Sequence, residues 1–293
     1  MIARNLAKKI FYAINPPRLE QAKDLTLGYV FHTEMIYEKK YFDALMDFLP
    51  RYTALTGARA IATLMSGRNP RVRDGIKSAG ISELEFASRL AKIGEVAELG
   101  FHGHYVLEAE EYKTFSKQIR GAVYEMEVIT NQLKNELAWF EEFKIKLGPY
   151  YSAGWWFHSL ELYQELALRG FRYDFSQSFS PWFRSPVIYP ILKEMGLHCG
   201  ERVELDFGKA KIQLIQNLVG CHNTKFSEDF IRHMKALLNG GSDTPVAVVH
   251  SHDFDLQVEN SLHALADIKK LGANFFSGTD LDSMAPPKIG WRV

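Results

Sequence analysis

The sequence lacks several features that assign a protein to a common class. Basic and acidic residues balance at 35 each, so the surplus of positive charge typical of nucleic-acid-binding proteins is missing. There are only two cysteines, Cys199 and Cys221, without metal-ligand spacing, which favours free thiols over a disulfide framework. No apolar run reaches the roughly 20 residues that a membrane span requires. We therefore expect neither a nucleic-acid partner nor a transmembrane segment.

Familiar catalytic and targeting signatures are missing as well. No glycine-rich dinucleotide fingerprint, phosphate-binding loop or Gly-Xaa-Ser-Xaa-Gly elbow is present. The first 17 residues contain Arg4, Lys8 and Lys9 but no continuous apolar core, so we interpret them as something other than a signal peptide and expect a cytoplasmic protein. Together with Arg18, these residues fit either a solvated helix face or a peripheral contact with a membrane surface or an anionic partner.

Short apolar runs alternate with longer amphipathic stretches, a pattern typical of βα units. Strands are predicted over 25–33, 59–65, 95–102, 171–175, 246–251 and 273–276, with two or three more within 197–219, and 149–154 is predicted to be a short strand or a loop. Helices are predicted over 37–52, 82–93, 108–143, 159–168, 190–195, 227–239 and 260–271, and the Gly, Asn and Pro content of 67–73 predicts a loop. The alternation favours a distorted (β/α)7-8 barrel, one domain over 1–293 with a helical N-terminal extension over 1–24.

Three of the predicted strands end in pairs of residues that could bind a metal. Residues i and i+2 of a strand share a face. The pairs are His32 and Glu34, His102 and His104, and His250 and His252, the last followed by Asp253 and Asp255. Because the carboxyl ends of barrel strands gather at one rim, five imidazoles and several carboxylates would meet there, a set that suits zinc or a similar divalent ion. A polar pocket in which the histidines only form hydrogen bonds is the alternative.

These segments resemble, in order, the motifs of the polysaccharide deacetylase (NodB-homology) family, from about Leu25 to Leu281. The segment 98–102 resembles that family's Glu-Ile-Gly-Xaa-His, 170–174 its Gly-Phe-Arg-Tyr-Asp, and 249–255 its Leu-His-Pro-Trp-Glu-Phe-Asp. The resemblance implies a barrel of the polysaccharide deacetylase type that removes N- or O-acetyl groups from sugars with the help of a metal ion.

The resemblance also implies roles for single residues. His250 matches the family's general acid, and Asp174 matches the carboxylate that orients this imidazole and raises its pKa. Glu34, His102 and His104 are the expected replacement for the family's Asp-His-His metal site, and His32 is expected to act as a ligand or as the base. The replacement is needed because the first strand lacks the family's Thr-Phe-Asp-Asp.

The third motif departs from the family too. Ser152 stands near the place of an Arg that pairs with the family's base Asp, so both members of a buried ion pair are missing together. Losing only one member would leave an unpaired buried charge, at a cost of roughly 3–5 kcal/mol. We interpret this pattern as a rebuilt site.

Aromatic residues after the fourth strand and in a later loop predict a sugar-binding surface, because aromatic rings stack on the apolar faces of sugars. The candidates are Tyr151, Trp155, Trp156 and Trp182, with core packing as the alternative. The expected substrate is a nucleotide-linked, lipid-linked or small acetylated saccharide of surface-polysaccharide (lipopolysaccharide) biosynthesis. A catalytically inactive carbohydrate-binding or scaffold protein on the same fold is the alternative function.

Overall fold

The computed structural model describes residues 21–105, 125–154, 157, 159–178, 200–218, 234–235, 237–239, 242, 245–287 and 289–293. The strands of this part are β1 Thr26–Thr33, β2 Ile61–Leu64, β3 Glu98–Gly103, β4 Tyr150–Ala153, β5 Tyr173–Ser178, β6 Val203–Asp206, β7 Lys211–Leu218, β8 Val246–His252, β9 Asn274–Phe275 and β10 Ile289–Arg292. The helices are α1 Lys39–Thr56, α2 Pro70–Ala79, α3 Glu83–Val96, α4 Met126–Glu142, α5 Leu160–Leu168 and α6 Val258–Lys270.

Seven parallel strands close into a barrel in the order β1, β2, β3, β4, β5, β7 and β8. The closure is formed by β8, which pairs with β7 on one side and with β1 on the other. Outside the ring, β6 lies antiparallel to β7, β10 lies beside β6, and β9 pairs with the start of β1. The predicted (β/α) barrel is therefore confirmed, with seven strands in the ring.

Each barrel strand has one face toward the helices and one toward the barrel interior. On the helix side, the rings of Tyr29 and Phe31 of β1 pack against Phe48 of α1 in tilted and edge-on arrangements, at 5.3 and 5.2 Å between ring centroids. The alternate residues form a separate apolar cluster inside the ring, with members from β1, β2, β4, β5, β7 and β8: Val30, Ile61, Tyr150, Tyr173, Phe175, Ile215, Val246 and Val248. Because strand side chains alternate, His32 faces the interior like Val30, two residues earlier.

The amino-terminal end of the barrel is filled by Phe276, which is only 2% exposed. Its ring lies against Gly28 on β1, where an added Cβ would come within 2.6 Å of the ring. Glycine at this position therefore lets Phe276 enter the ring and close its base. The opposite end, where the strands terminate, is left to polar residues.

The structure corrects the predicted loop over 67–73. Helix α2 begins within it, at Pro70, and Asn69 caps the helix by accepting a hydrogen bond from Arg71 N at 3.2 Å. Asn at the N-cap followed by Pro at the first helical position is a helix start signal, because proline lacks the N–H that would be unsatisfied there. The Gly, Asn and Pro content of the segment predicts a loop, whereas the order Asn-Pro at 69–70 indicates the start of a helix.

Other predicted boundaries move by a few residues. Helix α3 continues to Val96, so the third strand begins at Glu98 and not at Glu95, and the fifth strand is shifted to Tyr173–Ser178. The predicted helix over 190–195, most of 227–239, and the N-terminal extension up to residue 20 lie outside the described residues. In the part of the chain that the structure describes, no helix has the length and apolar character to span a bilayer.

Candidate metal centre

The five histidines predicted at strand ends meet at the carboxyl-terminal rim of the barrel. The ring of His32 lies 4.2 Å from that of His102, 5.4 Å from His250 and 5.1 Å from His252, measured between centroids. The ring of His104 lies 4.7 Å from that of His102. All except His252 are buried, so the barrel brings these imidazoles together below its surface.

Glu34 follows β1 and points one carboxylate oxygen at three of the imidazoles. The distances from its Oε1 to Nε2 are 3.2 Å for His104, 3.4 Å for His102 and 3.6 Å for His252. Burial by itself raises the pKa of Glu34, but the neighbouring imidazoles, His104 foremost, outweigh burial and hold this pKa well below its usual value. The side chain is therefore an ionised carboxylate inside a ring of nitrogens.

The tautomer of His102 indicates what belongs between these groups. Its Nδ1 lies 2.9 Å from the backbone oxygen of Ser152, which can only accept, so Nδ1 has a proton and Nε2 is the nitrogen left for a second partner. This Nε2 lies 3.4 Å from Glu34 Oε1, which is an acceptor. The contact is therefore satisfied either by a proton on Nε2 or by a cation bound between the two atoms.

The spacing of the donor atoms fits a small divalent ion. Glu34, His102 and His104 each offer one ligand atom, and these atoms lie within 4.8 Å of one another. The separations of 3.2 and 3.4 Å from Glu34 Oε1 are close to the edge of about 3.3 Å expected for a zinc tetrahedron with bonds near 2.05 Å. Burial lowers the pKa of His104 to about 4, so this ring is neutral near pH 7, as a ligand must be.

A guanidinium group occupies the other oxygen of the carboxylate. Arg71, in the first turn of α2, donates from Nη1 to Glu34 Oε2, and its side chain is 19% exposed. Glu34 and Arg71 therefore form an ion pair at the rim of the barrel. The sequence gives no signal for this role of Arg71, because the predicted loop over 67–73 hides the first turn of α2.

A second layer of polar groups holds the backbone after β3. Asn69 Nδ2 donates to the backbone oxygen of His104 at 2.9 Å and to Glu136 Oε1 at 3.1 Å. Ser66 Oγ and Gln132 Nε2 also donate to this carboxyl group, both at 3.2 Å. Burial raises the pKa of Glu136 to about 8, so its neutral form predominates near pH 7. No motif in the sequence singles out these four residues, because their contacts depend on how β2, β3 and α4 pack together.

The two histidines of β8 have different partners. His250 Nδ1 lies 2.9 Å from the backbone oxygen of Leu218, which fixes the orientation of the ring. His252 lies 3.6 Å from Asp255 as well as 3.6 Å from Glu34. Burial lowers the pKa of His252, but the hydrogen bond that it donates to Asp255 and the charge of Glu34 outweigh burial, so its pKa is raised overall.

The structure does not bring Asp174 to this cluster. Asp174 alternates with Tyr173 and Phe175, which are interior residues, so it faces the helices. There it accepts hydrogen bonds from Tyr163 of α5 at 2.8 Å and from the backbone N–H and hydroxyl of Ser176. Burial raises the pKa of Asp174 to about 7. The His250 ring donates through Nδ1 to the backbone oxygen of Leu218. The resemblance had implied that Asp174 would orient this ring.

Of the predicted sugar-binding aromatics, only Tyr151 lies within the described residues. It is fully buried on the helix side of β4, where its hydroxyl lies 3.1 Å from that of Tyr105. This position separates it from the interior of the barrel. Trp155, Trp156 and Trp182 lie outside the described residues, so their contact with sugar stays a prediction.

Comparison with known proteins bears on the fold. No family model matches the sequence, and no curated protein is significantly similar to it. The crystal structure of a protein from Mycobacterium smegmatis that is described as a putative polysaccharide deacetylase superposes with a TM-score of 0.53 at 12% identity. The superposition covers 93% of this chain and 96% of that one. A 4-alpha-glucanotransferase from Thermococcus litoralis superposes with a TM-score of 0.50 at 12% identity, covering 94% of this chain and 42% of that one. The chain therefore has the polysaccharide deacetylase barrel, a fold on which more than one activity occurs.

Proposed function

We propose that this protein is a metal-dependent deacetylase that hydrolyses the acetyl amide or ester of a sugar or glycan precursor in surface-polysaccharide biosynthesis. The observation that supports the proposal most is the approach of Glu34 Oε1 to Nε2 of His102 and of His104, at 3.4 and 3.2 Å, at the rim of the barrel. A cation bound between these three atoms would stabilise the arrangement. The rim is also where barrel enzymes bind their substrates.

Three residues would hold the metal ion. Glu34, His102 and His104 form a carboxylate and two-imidazole set, which suits zinc and leaves room for a further ligand. When bound there, the ion would polarise the acetyl carbonyl group. Arg71 occupies the second oxygen of Glu34, so this carboxylate offers the metal a single oxygen.

The remaining imidazoles would move protons. Burial, and after it the charges of neighbouring histidines such as His102, hold the pKa of His32 well below its usual value, and a neutral imidazole suits a general base. His250 donates through Nδ1 to the backbone of Leu218, so Nε2 is the nitrogen that would pass a proton to the leaving sugar atom. The pKa of His252 is raised, so this residue is a second proton donor at the same rim.

The proposed substrate is an acetylated saccharide bound at the rim of the barrel. The polar rim suits an acetylated saccharide, since sugar sites combine stacking rings with a few polar groups. Trp155, Trp156 and Trp182, which lie outside the described residues, are proposed from the sequence as the stacking rings. We further propose that the substrate is a cytoplasmic, carrier-linked or small saccharide. The basic N-terminal segment would serve as a peripheral contact if the carrier is a lipid.

The proposal is tested by metal content and acetate release. Protein purified without chelator should contain close to one zinc ion per chain, which the His102→Ala, His104→Ala double variant should lose. The His250→Ala variant should keep the metal but lose acetate release from acetylated sugars, because it removes only the proposed acid.

The matched control is His263→Ala, which removes an exposed imidazole on α6 and should leave metal content and turnover unchanged. Wild-type protein that takes up no divalent metal, even with added zinc, would refute the proposal. The alternative of a catalytically inactive carbohydrate-binding or scaffold protein would then be preferred.

A further inference from the structure

We infer that the first turn of α2, Asn69–Arg71, is a positioning unit that fixes two of the proposed metal ligands relative to each other and thereby sets the metal affinity of the site. The inference rests on the proposed metal centre. It concerns residues that do not themselves bind the metal. Helix α2 follows β2, which lies between β1 and β3 in the barrel, so its first turn stands between the ends of the two ligand-bearing strands.

The contact with the first ligand is made by Arg71. Its guanidinium donates to Glu34 Oε2, while Oε1 of the same carboxylate faces the imidazoles. The carboxylate is 4% exposed, so solvent contributes little to its orientation. A fixed guanidinium partner therefore determines which oxygen is presented to the histidines.

The contact with the second ligand is made by Asn69, which is fully buried. One end of its side chain, Oδ1, caps the helix by accepting from Arg71 N at 3.2 Å. The other end, Nδ2, donates to the backbone oxygen of His104 at 2.9 Å. One amide thus starts the helix that presents Arg71 and also fixes the backbone of a ligand.

The unit is itself held rigidly. Pro70 at the first helical position has a restricted φ angle, which favours one path of the chain between Asn69 and Arg71. From α4, Glu136 accepts a second hydrogen bond from Asn69 at 3.1 Å. Outer partners that orient ligands in this way change metal affinity by about 10–100-fold when they are altered.

The chemistry of Asn69 allows capping and positioning to be separated. Asp and Ser are both good N-cap residues, so Asn69→Asp and Asn69→Ser retain the cap of α2 but lose the amide donor to His104. We expect both variants to bind zinc about 10–100-fold more weakly than wild type, measured by competition with a chromophoric chelator. Ser82→Ala, which removes the N-cap of α3, is the control and should leave zinc affinity unchanged.

Arg71 is tested in the same assay by Arg71→Met, with Arg73→Met as control. Arg73 lies on the same helix, is exposed, and pairs only loosely with Asp74 at 3.8 Å. We expect weaker zinc binding for Arg71→Met and unchanged binding for Arg73→Met. Circular dichroism of each metal-free variant reports whether the barrel has folded, and affinities are compared among folded variants.

The outcomes separate the inference from the proposed function. If wild type binds no zinc, the proposed metal centre fails. If wild type binds zinc and the folded Asn69 and Arg71 variants bind it equally well, the positioning unit is refuted while the metal centre stands. If only the stability of the metal-free variants falls, the first turn of α2 has a structural role and the inference is overturned.

Discussion

Glu136 shows at the scale of one residue how the fold uses an acid in its neutral form. It is fully buried on α4 and is bound by Ser66, Asn69 and Gln132. Its pKa is raised to about 8 by burial. Between its unfolded pKa and this value the folded state binds more protons than the unfolded state, so its contribution to stability is complete in acid and is lost as the pH rises through about 8.

Replacing Glu136 with glutamine should remove the decrease in stability at high pH that ionisation of this carboxyl group causes. Glu136→Gln retains the shape and an acceptor oxygen but cannot ionise, so we expect its stability relative to wild type to increase between pH 5 and pH 9. The gain should be on the order of a few kcal/mol, at ~1.4 kcal/mol per unit of pKa shift. Urea unfolding at a series of pH values measures it.

The control is Glu141→Gln, which removes a carboxylate from the exposed face of the same helix. Equal changes with pH in the two variants would show that Glu136 is not the source of the effect. A decrease in the stability of Glu136→Gln at high pH would contradict the neutral, buried acid described here.

Single residues also show what the sequence predicted of the site. Glu34, His102 and His104 were predicted from strand alternation, because alternation and barrel geometry bring strand ends together without knowledge of distances. Arg71 and Asn69 were missed because their contacts depend on where a helix begins. The family resemblance implies a place for Asp174 beside His250, whereas strand alternation with the interior residue Phe175 indicates that Asp174 faces the helices, as the structure has it.

At the scale of elements, the end of β4 provides space for a proposed ligand. Gly154 follows this strand, and an added Cβ there would lie 2.3 Å from ring atoms of His104. We expect Gly154→Ala to displace the imidazole, to reduce zinc affinity, and to destabilise the fold by about 1–3 kcal/mol, as overpacking does. Chelator competition and thermal unfolding measure the two effects.

Gly290→Ala is the matched control, because a Cβ at this position in β10 would meet no atom within 4 Å. It should change neither quantity. Unchanged zinc affinity in Gly154→Ala would mean that the His104 ring adjusts without moving its ligand nitrogen.

The elements themselves were largely predictable from the sequence. Apolar runs and turn residues located β1, β2, β3, β5 and β8 to within a few residues, whereas β4 was a short strand or a loop and β7 was one of two or three strands without separate bounds within 197–219. Strand β10 was not predicted, because Ile289–Arg292 has only four residues and lies against β6 outside the ring. The register between neighbouring strands could not be predicted, because it depends on packing between segments that are distant in sequence.

At the scale of the whole molecule, the barrel separates stability at its base from chemistry at its rim. Phe276 fills the base against Gly28, while the histidines lie at the opposite ends of the strands. Phe276→Ala should therefore lower the free energy of unfolding by about 3–5 kcal/mol, through the cavity that it leaves. Zinc affinity of the folded variant should remain that of wild type, by the chelator competition used above.

Leu84→Ala, which truncates an exposed side chain, is the control for stability and should have little effect. A loss of zinc affinity in Phe276→Ala comparable to its loss of stability would show that base and rim are mechanically coupled. The separation of the two ends would then be wrong.

The pairing of β1 with β8 has a consequence for the newborn chain on the ribosome. Tyr29 on β1 bonds through its hydroxyl to Ser251 on β8, 222 residues later, at 2.7 Å. At about 5–20 residues per second, synthesis of the intervening chain takes roughly 10–40 s. Throughout that interval one edge of β1 has no strand from β8 to cover it, and uncovered edges attract other chains. The ring can close only after β8 has been synthesised, so chaperones that shield strand edges would act on β1 before that point.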